Sequence, residues 1–304
     1  HIAFAGVTVN GDHSLDLSFF DQNGTGIEDA KALSSAAHAH GVSALFLLGG
    51  QGNGPAIAAA ASPNNRAALV ADLVSTMDSL GYDGIDLDWE EAIDFGEAVH
   101  HARTVGLPGL LALDFQQRAA RLKALAKFLV ERKEELYAVS AHTGATRADS
   151  WIDIEGGTGT LFAYASAGSN ELPSGNLVHE GPVLILGKAG RFGGTHILVP
   201  RGGLAVHINA FNFPIWGLLE KFAPSFLAGM PCIGKPATAT SYLTEALVRL
   251  IDASGILPAG ALQLVIGGTG DLLDRLDGRD VVTFTGSADT AAKLRVHPNL
   301  VRHS

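Results

Sequence analysis

The sequence predicts an α/β chain that contains two separate segments of parallel sheet. Apolar strand-like runs alternate with helix-like runs near the start of the chain, and the same alternation returns near its end. Between the two segments the charge balance and the texture of the sequence change, at about residues 91–95. We therefore expect one domain in residues 1–92 and a second domain in residues 93–304.

The uneven distribution of charge is the clearest compositional signal. Residues 1–92 contain 12 acidic residues and only two basic ones, Lys31 and Arg66, and this segment accounts for the whole net charge of −10. One acidic face on a single domain is the alternative explanation. The negative charge argues against a nucleic-acid partner, because phosphate contacts require a basic surface. No apolar run reaches the ~18 residues of a membrane span, so no membrane partner is expected.

The first segment reads as strand, helix, strand, helix and strand. The strands are predicted in "HIAFAGVTV", "VSALFLLGG" and "YDGIDLDWE", and the first helix in "GIEDAKALSSAAHAHG". "SPNNRAALVADLVSTMDSLG" predicts a second helix that Ser62 or Asn64 caps, with Pro63 in its first turn. Strands joined by helices in this order imply right-handed crossovers and a parallel sheet.

The second segment starts with helical sequence and returns to strands. "LDFQQRAARLKALAKFLVERKEELYAVSAHTG" predicts a long amphipathic helical stretch, and "THILVPRGGLAVHINAFNFPI" predicts two short strands. Further strands are predicted in "PCIGKPA", "ALQLVIGG" and "DVVTFTGS". The helices between and after them are predicted in "GLLEKFAPSFLAGM", "SYLTEALVRLIDASG", "GDLLDRLDG" and "ADTAAKLRV". This βαβαβ order is typical of nucleotide-binding sheets.

The last strand of the first segment carries three carboxylates at alternate positions. Asp86, Asp88 and Glu90 point to one face of the strand, and the intervening apolar residues point to the other. Carboxylates ~6 to 7 Å apart repel one another, which raises the pKa of Glu90 as general-acid chemistry requires. A surface strand with a solvated polar face is the alternative. It is less expected for a parallel strand, because such strands are usually covered on both faces.

Residues 83–90, "DGIDLDWE", resemble the D-G-x-D-x-D-x-E signature of the chitinases of glycoside hydrolase family 18. "HIAFAGVTV" and "ALFLLGG" resemble that family's second and third barrel strands. The resemblance implies a partial (β/α)8-barrel segment, although nothing after Glu91 resembles strands five to eight. It also implies a chitin-type oligosaccharide substrate and no cofactor. Glu90 would protonate the glycosidic oxygen, Asp88 would hold the 2-acetamido group and Asp86 would tune Asp88.

"INAFNFPIWGLLEKFAPSFLAGMPCIGKPA" and "VVTFTGSADTAAKL" resemble the aldehyde dehydrogenase superfamily. The closest likeness is to the ring-cleavage semialdehyde dehydrogenases of benzoate and phenylacetate breakdown. This resemblance covers residues 94–304 and implies a Rossmann-like dinucleotide-binding α/β region. It implies NAD or NADP as cofactor and a small aldehyde as substrate, including the CoA-linked semialdehydes.

The same resemblance assigns roles to five residues. Asn212 would donate to the oxyanion of the reacting aldehyde, and Lys235 would contact the adenosine ribose or its 2′-phosphate. Gly270 forms a tight turn in "GGTGD", and Gly286 and Ser287 lie at a strand-to-helix junction, where free N–H groups face a pyrophosphate. A turn asparagine bonded to the backbone and a solvated lysine at a strand end are the alternatives.

The cysteine and histidine content limits other chemistry. Cys232 is the single cysteine, which excludes a disulfide framework, and its apolar strand predicts a buried, unreactive thiol. The histidines of "HAH" at 38–40, together with His100 and His101, lack a carboxylate or cysteine at ligand spacing, so no metal site is expected. By the resemblance, the nucleophilic cysteine and the general-base glutamate of the dehydrogenases fall beyond residue 304. Aldehyde oxidation is therefore expected to be impaired.

Three functions remain compatible with the sequence. The first is an NAD(P)-binding region of the aldehyde dehydrogenase type, the second is a chitinase-like glycosidase, and the third is a chimeric or truncated chain with neither activity. Two incomplete domains leave apolar faces open, so we expect poor solubility or a homo-oligomer. No targeting segment is visible. A cytoplasmic location is favoured for the dehydrogenase function and a secreted one for the chitinase function.

Overall fold

The computed structural model describes residues 2–21, 24–50, 52–89 and 94–303. The chain divides into two compact units, His1–Ile93 and Asp94–Ser304. Each unit contains its own parallel sheet, so the predicted α/β class with parallel sheets is confirmed. Within the described ranges, no helix combines the length and the apolar character needed to cross a membrane.

The first unit alternates strands and helices as predicted. Three parallel strands and one short antiparallel strand form its sheet, and the connecting helices provide the crossovers that parallel pairing requires. Its elements are β1 (Ile2–Val9), β2 (Leu15–Asp16), α1 (Gly26–Ala39), β3 (Ala44–Gly49), α2 (Gly54–Ala60), α3 (Arg66–Leu80) and β4 (Gly84–Asp88).

The described strands of the first unit form an open sheet in the order β2-β1-β3-β4. Two of them, β2 and β4, are edge strands, whereas a closed barrel has no edges. The predicted strand–helix order is therefore observed, but a (β/α)8 barrel is not shown. Buried Val7, Phe46, Leu48 and Ile57 belong to the hydrophobic core of this unit.

The predicted cap of α3 is wrong. The helix begins at Arg66, after Asn65, and neither Ser62 nor Asn64 caps it. The Asn65 side chain instead donates to the carbonyl of Ala59 at 3.1 Å, and the N–H of Arg66 donates to the carbonyl of Ser62 at 2.9 Å. The residues between α2 and α3 thus form a turn that is tied to the end of α2.

The second unit begins with helices and continues with a hairpin and a parallel sheet. The helices are α4 (Phe95–His101), α5 (Leu107–Leu111), α6 (Phe115–Glu131), α7 (Lys133–Ser140) and α8 (Arg147–Asn170). The antiparallel hairpin consists of β5 (Val178–Ile185) and β6 (Gly193–Leu198). The remaining elements are β7 (Ala205–Ile208), α9 (Trp216–Leu227), β8 (Cys232–Lys235), α10 (Ser241–Ala253), β9 (Leu262–Leu264), β10 (Val281–Phe284), α11 (Ala288–Arg295) and α12 (Pro298–His303).

The second parallel sheet has the order β10-β7-β8-β9, which confirms the predicted strand–helix alternation of the last third. One predicted helix, "GDLLDRLDG", is only a single 3-10 turn over Leu272–Arg275. The chain enters β10 at Val281, which leaves little room for a longer helix. The two strands predicted in "THILVPRGGLAVHINAFNFPI" exist as β6 and β7, but they belong to different sheets.

Candidate functional site

The parallel strands of the second unit end side by side. Ile208 at the end of β7 pairs with Lys235 of β8 on one side and with Phe284 of β10 on the other. Ligands of parallel α/β sheets bind outside the carboxyl ends of the strands. The fold therefore brings five of the predicted site residues to this one edge: Asn212 after β7, Lys235 at the end of β8, Gly270 after β9, and Gly286 and Ser287 after β10.

Asn212 is exposed in the loop between β7 and α9. The Thr240 hydroxyl donates to the carbonyl of Phe211 at 3.0 Å, and the Thr244 hydroxyl donates to the carbonyl of Pro214 at 2.9 Å, so the loop is held on both sides of Asn212. Among the described residues, none forms a hydrogen bond with the Asn212 side chain. Its amide is therefore available to donate to a ligand, in contrast to a turn asparagine bonded to the backbone.

Backbone N–H groups at the start of α9 donate hydrogen bonds to the carboxylate of Asp153, a residue that was not predicted from the sequence. Asp153 of α8 is 4% exposed, and it accepts the backbone N–H of Trp216 at 2.7 Å and that of Ile215 at 3.2 Å. Burial raises the pKa of Asp153 to about 6, although the two backbone hydrogen bonds act in the opposite direction. The carboxylate lies 62 residues before Ile215 in the sequence, so no local pattern could have identified it.

Lys235 ends β8 with its side chain half-buried. Its Nζ donates to the carbonyl of Pro236 at 3.3 Å, and in the described part of the chain no carboxylate lies within 4.0 Å of it. Burial lowers the pKa of the Lys235 ammonium. A half-buried ammonium without a counter-ion is suited to an anionic ligand, because phosphate oxygens accept charge-assisted hydrogen bonds from it.

Close packing explains two of the predicted glycines. Gly270 has a φ of +44°, and a Cβ added there would lie 2.3 Å from the Phe95 ring. A Cβ added at Gly286 would lie 2.4 Å from the Phe284 ring. Ser287 is the N-cap of α11, and its hydroxyl accepts the N–H of Thr290 at 3.3 Å. The helix therefore begins at the carboxyl edge of the sheet, where first-turn N–H groups can meet an anion.

Cys232 is fully buried in β8, and its Sγ lies 3.5 Å from the carbonyl of Met230. Burial raises the pKa of the thiol far above its ordinary value. A protonated, inaccessible thiol is a poor nucleophile, which agrees with the unreactive cysteine predicted from the sequence.

The carboxylates of the first unit are only partly described. Asp86 is exposed and Asp88 is half-buried on β4, whereas Glu90 lies outside the described residues. The expectation that the apolar face of this strand is covered is wrong for Leu87 and Trp89, which are 53% and 40% exposed, whereas Ile85 packs against the core. The reason is that β4 is an edge strand. The raised pKa expected for Glu90 stays a prediction.

His38 of "HAH" lies on α1, and it has a carboxylate partner that is distant in the sequence. His38 Nε2 lies 2.8 Å from Asp83 Oδ2, and the two residues are 45 positions apart in the sequence. Their pairing results from the fold rather than from sequence spacing. Across the described ranges, no group of three or more His, Cys, Asp or Glu residues could hold a metal ion.

Comparisons with known proteins match the two parts of the chain to different families. Residues 88–300 match the model of the aldehyde dehydrogenase family. Residues 1–156 match the model of glycosyl hydrolases family 18. The part of this second match that follows residue 93 lies in the second unit.

Relatives with curated functions are semialdehyde dehydrogenases. The 3,4-dehydroadipyl-CoA semialdehyde dehydrogenase of Aromatoleum evansii is 46% identical over 215 residues, which cover 70% of this chain and 42% of the relative. An N-succinylglutamate 5-semialdehyde dehydrogenase of Escherichia coli is 32% identical over 216 residues, which cover 67% of this chain and 39% of the relative. The chain thus spans about two fifths of the length of these relatives.

Solved structures share the fold of the matched part. Betaine aldehyde dehydrogenase of Staphylococcus aureus, in complex with NAD+, has a TM-score of 0.57 at 20% identity over 69% of this chain and 41% of that one. A proline utilization A structure has a TM-score of 0.56 at 25% identity over 67% of this chain and 20% of that one. An NADP-dependent enzyme of Escherichia coli and an NAD-dependent benzaldehyde dehydrogenase of Corynebacterium glutamicum also match. These matches show that the matched part of the chain has the same fold.

Proposed function

Since the chain belongs to the aldehyde dehydrogenase family, we propose that its second unit binds NAD or NADP along the carboxyl edge of the sheet and acts on an aldehyde. One observation carries the proposal. The edge gathers a half-buried lysine without a counter-ion, the start of α11 and an asparagine amide without a partner among the described residues. These groups suit an anionic ligand that also requires a hydrogen-bond donor near its reacting end.

In this proposal, four residues hold the dinucleotide. Lys235 contacts the adenosine ribose or its 2′-phosphate, and the N–H groups at Gly286 and Ser287 receive the pyrophosphate. Gly270 allows its loop to pack closely against Phe95 and so shapes the edge that receives the dinucleotide. When bound, NAD(P)+ supplies the hydride acceptor, and these residues determine where that acceptor lies.

Asn212 is proposed as the donor to the oxyanion that develops at the aldehyde carbon. Loss of one such donor reduces the rate by ~10²- to 10³-fold in enzymes of this kind of chemistry. The proposed substrate class is a semialdehyde, including the CoA-linked semialdehydes, as in the name of the relative from Aromatoleum evansii. Impaired aldehyde oxidation stays a prediction.

Titration calorimetry of NAD+ and NADP+ against Lys235→Ala tests the proposal. The loss of the ammonium should weaken binding at least ~10-fold, or ~1.4 kcal/mol, and more for NADP+ if the lysine contacts the 2′-phosphate. Lys127→Ala is the matched control, because Lys127 is exposed on α6 and should leave both affinities unchanged. Equal affinity of the wild type and Lys235→Ala would reject the role of Lys235. No binding to the wild type would reject the proposed function.

A second function is proposed for the first unit, because the family 18 model matches residues 1–156 and "DGIDLDWE" carries that family's signature. Glu90 would protonate the glycosidic oxygen of a chitin-type oligosaccharide, with Asp88 and Asp86 in the supporting roles. Fluorophore release from a chitobioside should disappear in Glu90→Gln and persist in Glu91→Gln. A wild type without release would reject this function, and a wild type that also binds no dinucleotide would favour a chimeric chain without activity.

A homo-oligomer is proposed from the exposed apolar residues of the second unit. Val183, Leu184, Ile185 and Phe192 in or beside the β5–β6 hairpin are each about 60% exposed. Exposed apolar patches of this kind favour association. Light scattering coupled to gel filtration should give a mass above 31.5 kDa, whereas a monomer at all concentrations would contradict the proposal.

A further inference from the structure

We propose that Asp153 is a positioning residue for the loop that carries Asn212, a role that rests on the proposed function of Asn212. The carboxylate is buried on α8 and both of its oxygens accept backbone N–H groups of Ile215 and Trp216. These two residues follow Asn212 by three and four positions. Asp153 therefore fixes the end of the loop at the point where α9 begins.

The face of α8 next to Asp153 is shaped to receive the same residues. A Cβ added at Gly156 would lie 2.8 Å from the Trp216 indole, and one added at Gly157 would lie 3.1 Å from the Trp216 Cα. Each glycine inside a helix costs ~1 kcal/mol relative to alanine. Two adjacent glycines at this contact indicate that the packing of the loop on α8 stabilises the fold by more than the glycines cost.

Other contacts hold the remaining residues of the loop between β7 and α9. The Phe213 ring meets the Trp216 indole edge-on, with 5.7 Å between the ring centroids. Thr240 and Thr244 bind the carbonyls of Phe211 and Pro214. The neighbours of Asn212 are thus hydrogen-bonded to Thr240 and to α10 on one side and to α8 on the other. Of these bonds, only those to Asp153 are charge-assisted, and such bonds are the stronger kind.

No other charge of the described residues replaces or neutralises this carboxylate. On the helices packed against α8, five charged groups have other partners: Lys133 pairs with Glu155, Glu134 with Arg147 and Lys221 with Glu220, while Arg118 and Arg121 of α6 donate to backbone carbonyls. Asp153 therefore acts on backbone N–H groups alone. Because these N–H groups lie at the positive end of α9, they favour the ionised carboxylate and act against the larger effect of burial on its pKa.

Hydrogen exchange and NMR of the full chain without cofactor test the proposal. In Asp153→Asn and Asp153→Ala, the amides of Ile215 and Trp216 should exchange at least ~10-fold faster, and the side-chain NH₂ resonances of Asn212 should move. Ser150→Ala is the matched control, because Ser150 lies on α8, as Asp153 does, but does not contact the loop. The substitution removes the buried 2.8 Å hydrogen bond between Ser150 and Ser140 of α7. It should lower the melting temperature and leave the Asn212 resonances unchanged.

Unchanged Asn212 resonances in both Asp153 variants would overturn the proposal, as would an equal change in Ser150→Ala, since either result would mean a general structural role. If Asp153→Ala does not fold, Asp153→Asn decides the question, because its side chain is similar in size and keeps one acceptor oxygen. Dinucleotide titration of the wild type is independent of these measurements. Failure of the proposed function is therefore distinguishable from failure of the positioning role.

Discussion

His38 at the end of α1 and Asp83 before β4 are joined by a contact of 2.8 Å between Nε2 and Oδ2. The same carboxylate accepts the backbone N–H of Ala44, the first residue of β3, at 2.8 Å. The hydrogen bond with His38, followed by the bond from Ala44, lowers the pKa of Asp83. The first aspartate of "DGIDLDWE" thus connects three elements of the fold, which is a structural role.

The stability contributed by Asp83 should depend on pH. A carboxyl group whose pKa is lowered in the folded state stabilises the protein above its ordinary pKa, and this contribution is lost as the pH falls through the lowered value. Asp83→Asn should therefore lower the melting temperature near neutral pH, and the difference from the wild type should shrink below about pH 4. Asp78→Asn on α3 is the control. An Asp83→Asn difference that stays constant from pH 3 to 7 would contradict this explanation.

Arg118 should be among the most sensitive positions of the second unit. It is fully buried on α6 and donates to the carbonyl of Leu227 at 2.8 Å, the carbonyl of Leu110 at 3.0 Å and Asn176 Oδ1 at 2.8 Å. Arg118→Met would remove all of these hydrogen bonds, and a hydrogen bond to a charged group contributes ~1.5 to 3 kcal/mol. Urea unfolding should show a loss of about 3 kcal/mol or more. Lys123→Met on the exposed side of α6 should change stability by less than ~0.5 kcal/mol.

Local patterns predicted the parallel strands and most of their helices, because each is specified by residues close in sequence. The strand β5 and its pairing with β6 were not predicted. Nearly all residues of β5 are exposed and its last residues are consecutively apolar, so the alternation that marks a half-buried strand is missing. The helix α8 was not predicted either, since its several glycines weaken the helical signal. Packing against α6 and α9 explains Gly156, Gly157 and Gly168.

In the candidate site, too, the residues of local motifs were predicted and the residues placed by long-range packing were not. Asn212, Lys235, Gly286 and Ser287 belong to motifs at strand ends, so the topology of a parallel sheet brings them to one edge. Asp153 does not belong to a motif, and it reaches the site only because α8 packs against α9. The contact of His38 with Asp83 was not predicted for a similar reason, since the two residues are distant in sequence. Sequence reasoning therefore placed these groups at the strand ends and missed the groups that hold them in place.

The free energy of unfolding should reveal the titration of Asp153. Its pKa is raised to about 6 by burial, so the folded chain binds this proton more tightly than the unfolded chain does. The stability of the wild type relative to Asp153→Asn should therefore fall as the pH rises from about 4 to about 6 and stay constant above that, a change of roughly 3 kcal/mol. Urea unfolding of both proteins at pH 4.5, 5.5 and 7 measures it. Parallel pH curves for the two proteins would show that Asp153 does not titrate in this range.

Alanine at Gly156 and at Gly159 should have opposite effects, although both glycines lie in α8. Nothing lies within 4 Å of a Cβ added at Gly159, so Gly159→Ala should stabilise the helix by ~0.5 to 1 kcal/mol. A Cβ at Gly156 would meet the Trp216 indole at 2.8 Å, and overpacking of this kind costs ~1 to 3 kcal/mol. Thermal unfolding should therefore rank Gly159→Ala above the wild type and Gly156→Ala below it, with a change in Trp216 fluorescence only for Gly156→Ala. Equal stabilisation by both substitutions would mean that the Trp216 side chain does not pack on this face of α8.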